Sequence, residues 1–140
     1  SRLMAEVREK RGLAYSVFSY FAPGKDTGIF QAGLQTKNDQ AVLALEVMSS
    51  TIAQFIADGP TPAELVAAKS NLMNGYPLRI DNNRKLLDNI SSIAWNDLPL
   101  DTMDIWTKQV EAVTLEQVTK AFQKYLAMDR MQIVVLGTSK

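Results

Sequence analysis

Apolar residues recur along this chain with two different periods, which separate a hairpin region from a helical region. Residues 13–21 are rich in strand formers, and residues 29–36 alternate between apolar and polar side chains. The turn-forming residues 23–28 lie between these two stretches, so the pattern predicts an antiparallel hairpin. The apolar side of the second strand is Phe30, Ala32 and Leu34. Its polar side, facing solvent or a partner, is Gln31, Gly33 and Gln35.

A short helix is predicted before the hairpin, over residues 1–11. Leu3, Val7 and Met4 have the three-to-four spacing of one helix face. Gly12 is expected to end the helix, because glycine adopts the left-handed backbone conformation at little cost. Basic side chains are favoured in the last turn of a helix by its dipole. Those in this turn are Arg8, Lys10 and Arg11.

Helical periodicity and capping residues predict further helices from residue 38 to residue 125. Asn38 or Asp39 is expected to cap the first, which ends at about Ala57. The caps of the later helices are Thr61 with Glu64, the residues 81–83, Asp101, and Thr114 with Gln117. The positions expected to face a core are Ala41, Leu45, Met48, Ile52, Phe55, Leu65, Ala68, Leu72, Leu86, Ile90, Ile93, Met103, Trp106, Val110, Val113, Leu115, Val118, Phe122 and Tyr125. Trp95 is likewise expected to pack rather than to stack on a ligand.

The chain closes with an apolar run, Met131 to Leu136, whose length and β-branched content predict a third strand. A hairpin, a group of helices and a returning strand indicate an α+β fold, an antiparallel sheet with helices packed on one face. Because three strands make a thin sheet, further strands are expected from an upstream part of a longer protein. Residues 1–140 are interpreted as a single domain.

Composition excludes several classes of function. Of the 140 residues, 15 are basic and 15 acidic, so no basic field for nucleic acid is expected. No apolar run near the ~20 residues of a membrane span is apparent, so no transmembrane segment is predicted. The chain has no cysteine and no histidine. A catalytic zinc site of the usual kinds, or a nucleophile paired with histidine, therefore cannot be assembled from this chain alone.

Arg8 and Tyr15 are the candidate site residues, because they flank the predicted reversal after Gly12. A guanidinium and a phenol can both donate hydrogen bonds to a peptide carbonyl or to the oxyanion that it becomes. From the residues alone, a surface arginine and a half-buried strand tyrosine are the favoured interpretation. Glu6 and Glu9 have the spacing of paired carboxylates, but their basic neighbours favour a solvated charged face. Residues 81–83 resemble a calcium loop only superficially, and helix capping is favoured.

The opening block carries a family resemblance. Residues 1–17 read SRL-x-x-E-V-R-E-K-R-G-L-A-Y-S-V, and this resembles the second-domain signature of the pitrilysin/insulinase-type zinc metallopeptidases. That family includes the mitochondrial processing peptidase and many bacterial two-part zinc proteases. The resemblance continues through residues 34–38, 59–61, 68–69 and 77–95, and so covers nearly the whole chain.

The resemblance implies a non-catalytic peptidase domain of the LuxS/processing-peptidase-like fold. In the family, an arginine followed seven residues later by a tyrosine contacts the substrate opposite a zinc site on another domain. Arg8 and Tyr15 match that spacing, so the resemblance implies that they bind peptide substrate. The inverted zinc motif H-x-x-E-H is absent here, which implies that zinc and the catalytic base come from a partner domain or subunit.

Two other functions fit the same resemblance and residues. The chain could be a structural or assembly domain that kept the fold without substrate contact, as in core subunits of a respiratory complex. A weaker alternative is a stand-alone peptide- or ligand-binding module. The resemblance to exported bacterial relatives implies a periplasmic location, which no residue of the chain shows.

Overall fold

In the computed structural model, which describes residues 1–24 and 27–137, the chain opens with a π-helix, Met4–Glu9. The predicted helix is therefore present, but its turns are wider than those of an α-helix. Leu3 and Val7 are buried, as their spacing predicts. Gly12 ends the segment with a φ of 62°, which confirms the predicted left-handed stop.

The hairpin is confirmed. Strands β1, Ser16–Pro23, and β2, Gly28–Gln35, pair antiparallel from Ser16 opposite Gln35 to Pro23 opposite Gly28. Two residues of the predicted turn, Lys25 and Asp26, lie outside the described residues. The side of β2 that was predicted to be apolar is its inner face. Its members Phe30, Ala32 and Leu34 pack against the buried core.

The long helix α1, Ala41–Asp58, packs with the π-helix and the inner face of the hairpin. Its predicted stripe is confirmed, with Ile52 buried and the other members half-buried. A 3₁₀ turn, Asn38–Gln40, precedes it, so the N-cap positions are Lys37 and Gln40 rather than Asn38 or Asp39. Together the buried core residues here are Leu3, Val7, Leu13, Ala14, Val17, Ala44 and Ile52.

The outer face of the hairpin carries aromatic side chains. The rings of Phe18 and Tyr20 stack with centroids 6.0 Å apart, and the Tyr20 hydroxyl donates to Gln31 Oε1 at 2.6 Å. A Cβ on Gly33 would lie 2.6 Å from the Phe18 ring, so glycine lets this ring lie against β2. The face is open among the described residues and contains no charged side chain in either strand.

Within the described residues, four further α-helices follow: α2, Pro62–Gly75; α3, Asn83–Trp95; α4, Thr102–Ala112; and α5, Leu115–Tyr125. Contacts divide the described chain into two units. The first contains Ser1–Pro23, Gly28–Gly59 and the chain from Thr119 onward, and the second contains Pro60–Val118. The prediction that residues 1–140 act as one domain stays a prediction.

Most of the predicted helix caps are confirmed. Thr61 and Glu64 form the complete capping box of α2, and Thr114 and Gln117 exchange the same two bonds before α5. Asn82 accepts from the backbone of Lys85, so residues 81–83 do cap α3. Asp101 occupies the N-cap of α4 but its side chain makes no capping bond.

Several predicted inward positions are wrong. The helical spacing is present, but these side chains are exposed in the described structure: Ala68, Leu72, Ile90, Trp95 and Tyr125. Periodicity shows that a helix has an apolar face, and it does not show what covers that face. In the second unit only Ile93 is buried among the described apolar residues. Trp106 does pack, stacking on Tyr76 with centroids 4.6 Å apart.

The prediction of a third strand is also wrong. Met131–Leu136 forms no strand, and the sheet of the described chain has the two strands β1 and β2. Ile133, Val134 and Val135 are exposed. A strand exists only where neighbouring backbone groups complete its hydrogen bonds, and this run pairs with neither described strand. The fold class is nonetheless the predicted α+β, and within the first unit α1 packs on the inner face of an antiparallel hairpin.

One helical segment could cross a membrane by length and composition. Residues Asn38–Asp58 have a mean hydropathy of 1.3 over their most apolar window. The prediction of no membrane segment is therefore not confirmed. Core helices share this composition, and Ala44 and Ile52 of this segment belong to the buried core of the first unit.

Candidate functional site

Arg8 lies exposed on the π-helix. Its guanidinium Nη1 lies 3.8 Å from the Met4 sulfur, a weak acceptor, and has no acidic partner among the described residues. The π-turn is recorded by the bond from Lys10 N–H to the Ala5 carbonyl at 2.9 Å, which spans five residues. Such turns are rare and occur frequently at functional sites. The predicted cation is thus accessible.

The reversal after the π-helix is closed by backbone bonds around Gly12. Gly12 N–H donates to Arg8 O at 2.9 Å, and Leu13 N–H donates to Val7 O at 3.0 Å. In the Schellman motif of an α-helix, each of these N–H groups would donate to the carbonyl one residue later in the chain. The shift of both acceptors by one residue towards the N-terminus is what a π-turn requires. Leu13 is buried beside Val7. The stop is therefore fixed by hydrogen bonding and packing together.

Tyr15 lies just before β1 and is 68% exposed. Its backbone N–H donates to Gln35 O at 2.9 Å, while its hydroxyl has no hydrogen bond within the described ranges. Thr36 Oγ1 donates to Leu13 O at 2.5 Å, a second tie between this junction and the end of β2. A fixed backbone thus carries a phenol that is open to a ligand.

Arg8 and Tyr15 are both accessible, as a contact site requires, and no hydrogen bond joins them in the described part of the chain. Both groups can donate hydrogen bonds, so an incoming carbonyl or carboxylate oxygen is the chemistry that they can hold. Neither group is sealed within packing. Their assignment as substrate-binding residues stays a prediction.

The remaining charges of the π-helix are organised around Glu6. Its carboxylate accepts from Lys10 Nζ at 2.6 Å and from Arg11 Nη1 at 2.7 Å. These hydrogen bonds, that of Lys10 first and that of Arg11 second, lower the pKa of Glu6 below its ordinary value of 4.5. The carboxylate is therefore ionised at neutral pH. The charged-face interpretation of Glu6 holds, and Glu9 does not join it in a pair.

Among residues 1–24 and 27–137, no group of three or more acidic side chains could hold a metal ion.

A cavity in the first unit was not predicted. It has a volume of about 240 Å³, and four phenylalanine rings line much of it. The Phe55 and Phe122 rings meet edge-on at 4.7 Å, and Phe21 lies 5.5 Å from Phe122. The Arg2 guanidinium covers Phe55 at 4.7 Å. Apolar spacing predicted that some of these residues face a core. It could not predict the cavity, because the rings are distant in sequence and meet only in the folded chain. Neither Arg8 nor Tyr15 lines this cavity.

Comparisons with known proteins agree on one family. The model of the peptidase M16 inactive domain matches residues 1–72, just over half of the chain and including Arg8 and Tyr15. A crystal structure of a peptidase M16 inactive domain from Pseudomonas fluorescens is similar, with a TM-score of 0.86 and 34% identity. It aligns with 93% of this chain, which spans 31% of that one.

Two curated relatives show the range of the family. A protein from Mycobacterium leprae called an uncharacterized zinc protease is 31% identical over 137 residues, which are 98% of this chain and 31% of the relative. A Helicobacter pylori protein called a non-peptidase homolog is 25% identical over 140 residues, 100% of this chain and 32% of the relative. The chain thus spans about a third of the relatives it matches. The exposed junction of Arg8 and Tyr15 lies inside the matched region, and the chain belongs to the family of peptidase M16 inactive domains.

Proposed function

We propose that this domain helps to bind the peptide substrate of a zinc metallopeptidase and completes its proteolytic chamber. The observation that supports this proposal is the junction at Gly12, where Arg8 is exposed on the π-helix and Tyr15 is exposed on a backbone that is hydrogen-bonded to Gln35. Zinc and the catalytic base would come from a catalytic H-x-x-E-H domain or subunit. When bound there, zinc would polarise the scissile carbonyl and activate water.

The chemistry of the two residues supports this role. A guanidinium gives charge-assisted hydrogen bonds to an oxygen, and a phenol gives a neutral one. Together Arg8 and Tyr15 would hold a substrate carbonyl and stabilise the negative charge that develops on it during hydrolysis. Neither residue needs to change its protonation state for this purpose.

The hairpin supports binding of an extended peptide. In the described chain β1 and β2 form a two-stranded sheet, so each strand has an edge with unpaired backbone groups. An extended peptide can add to such an edge through main-chain hydrogen bonds. The open face carrying Phe18 and Tyr20 is uncharged, which favours uncharged segments of a peptide.

The test is a double substitution, Arg8→Ala with Tyr15→Phe, in the full-length protein assembled with its catalytic domain. Loss of transition-state hydrogen bonds of this kind lowers kcat/KM about 100-fold. The matched control is Arg130→Ala with Tyr125→Phe, which removes an exposed guanidinium and an exposed phenolic hydroxyl elsewhere on the domain. Turnover equal to that of the control would overturn the proposal.

A structural or assembly role is the second candidate, and one observation favours it. The relative from Helicobacter pylori is called a non-peptidase homolog, although it aligns with the whole of this chain. Inspection of the adjoining domain or subunit separates the two functions. An H-x-x-E-H motif there supports the peptidase role, and its absence supports scaffolding.

A further inference from the structure

Glu6 makes more contacts than any other charged group of the π-helix that the structure describes. Its carboxylate accepts from Lys10 Nζ at 2.6 Å and from Arg11 Nη1 at 2.7 Å. Arg11 Nη1 also donates to the backbone carbonyl of Glu6 at 2.7 Å. The Glu6 side chain thus binds both Lys10 and Arg11. The two bonds from Arg11 to Glu6 form a closed ring of hydrogen bonds over a single helical turn.

This ring depends on the π-turn. In an α-helix the side-chain neighbours of a residue lie three and four positions away. Here Arg11 lies five positions after Glu6, the same spacing as the backbone bond from Lys10 to Ala5. The wider turn brings Arg11 within reach of Glu6, and the two bonds of Arg11 to Glu6 in turn favour the wider turn.

The consequence concerns Arg8, which lies on the same turn. Lys10 and Arg11 are the other cations of this turn, and Glu6 engages both. Arg8 is left with the weak contact to the Met4 sulfur. Lys10 and Arg11 are exposed but already paired with Glu6, so an oxygen that approaches the junction meets Arg8 as the cation of this turn without an ion pair among the described residues.

We propose that Glu6 is a positioning residue that fixes the π-turn and pairs with Lys10 and Arg11, so that, within the described residues, Arg8 is the cation left without an ion pair for the substrate. The inference rests on the proposed function, since it names what orients the residue that contacts the peptide. Glu6 itself would touch neither substrate nor metal. It acts on the reaction only through Arg8.

The test is a double-mutant cycle in the full-length protein assembled with its catalytic domain. Glu6→Ala is measured with Arg8 present and in the Arg8→Ala variant, using a peptide that the wild-type protein cleaves. Glu9→Ala is the matched control, because Glu9 lies on the same π-helix and has no ion pair among the described residues. Circular dichroism and thermal unfolding define a temperature at which every variant is folded.

We expect Glu6→Ala to lower kcat/KM about tenfold when Arg8 is present, since small misplacements of a binding group are costly. The loss should fall on kcat, because the affected interaction strengthens in the transition state. In the Arg8→Ala variant the same change should have less than about a twofold effect. Glu6→Gln keeps an acceptor oxygen and should retain more activity than Glu6→Ala. Glu9→Ala should match the wild type.

Two results would overturn the inference, and they are distinguishable. If Arg8→Ala lowers turnover but Glu6→Ala has no effect, or has the same effect in both backgrounds, then Glu6 does not act through Arg8 and the proposed function stands. If Arg8→Ala leaves turnover unchanged, the role of Glu6 fails because Arg8 does not contribute to turnover, and the double substitution of Arg8 and Tyr15 then decides the proposed function.

Discussion

The backbone N–H of Tyr15 donates to the carbonyl oxygen of Gln35 at 2.9 Å, which joins the start of β1 to the end of β2. The side chain of the same residue is 68% exposed. Backbone pairing and side-chain exposure are thus combined at one position. A phenol attached in this way can meet a ligand without the entropy cost of ordering the backbone beneath it.

The left-handed turn at Gly12 gives the first prediction. Its φ is 62°, and a Cβ there would meet no atom within 4 Å, so the cost of Gly12→Ala is purely conformational. We expect a loss of about 1–2 kcal/mol in the free energy of unfolding, measured by urea denaturation. Gly75→Ala is the control, since Gly75 also has open space but lies in α2. That change should stabilise by about 0.5 kcal/mol, and equal effects at the two positions would refute the argument.

Gly59 gives a second and larger effect. It combines a φ of 73° with a ψ of −170°, a region that is essentially restricted to glycine. A Cβ would also lie 1.9 Å from Thr119 Oγ1. Gly59→Ala should therefore cost about 3 kcal/mol or more in the free energy of unfolding.

The two contributions at Gly59 can be separated. Thr119→Ala removes the clashing oxygen but leaves the backbone strain. Unfolding of the Gly59→Ala, Thr119→Ala double variant should show a cost smaller than the sum of the single changes. Strictly additive costs would mean that the side chain of Thr119 does not limit this position.

Helix capping gives a third prediction, in which two sequence signals behave differently. Thr61 Oγ1 accepts from the backbone of Glu64 in a complete capping box, whereas Asp101 makes no side-chain capping bond. Thr61→Ala should cost about 1 kcal/mol in urea unfolding. Asp101→Ala should cost about 0.3 kcal/mol, through its interaction with the helix dipole alone. A larger loss at Asp101 would contradict this assignment.

The sequence predicted best what short segments determine by themselves. The capping box at Thr61, the stop at Gly12 and the alternation around Phe30 each depend on neighbours within a few residues. The π-turn was missed, because helical propensity scales describe the α-helix and the bond from Lys10 to Ala5 differs by one residue.

The errors lie where a distant partner decides the outcome. Val134 has a strand former's side chain but pairs with neither β1 nor β2. Ile90 has the spacing of a core position but is 46% exposed. The aromatic cavity was missed for the same reason, since Phe21 and Phe122 meet only in the folded chain. At the site, the residues alone favoured a half-buried Tyr15, which is 68% exposed, and only the family resemblance implied a contact role for Arg8 and Tyr15. The organisation of charge by Glu6 was not predicted.

The pH dependence of the Glu6 cluster gives the last prediction. Lys10 and Arg11 lower the pKa of Glu6 below 4.5, so the folded state holds this proton less tightly than the unfolded chain. The stability that Glu6 contributes is therefore fully present above its unfolded pKa and is lost as the pH falls through its lowered folded pKa. The unfolding free energies of wild type and Glu6→Gln should differ by a constant amount above pH ~5.5 and converge in acid.

A carboxyl ¹³C NMR titration checks the cause, because the Lys10→Ala, Arg11→Ala variant should return the pKa of Glu6 towards its ordinary value. Both effects should weaken in ~1 M salt, which screens exposed charges. An unchanged Glu6 titration in that double variant would show that neither cation sets the charge of this turn.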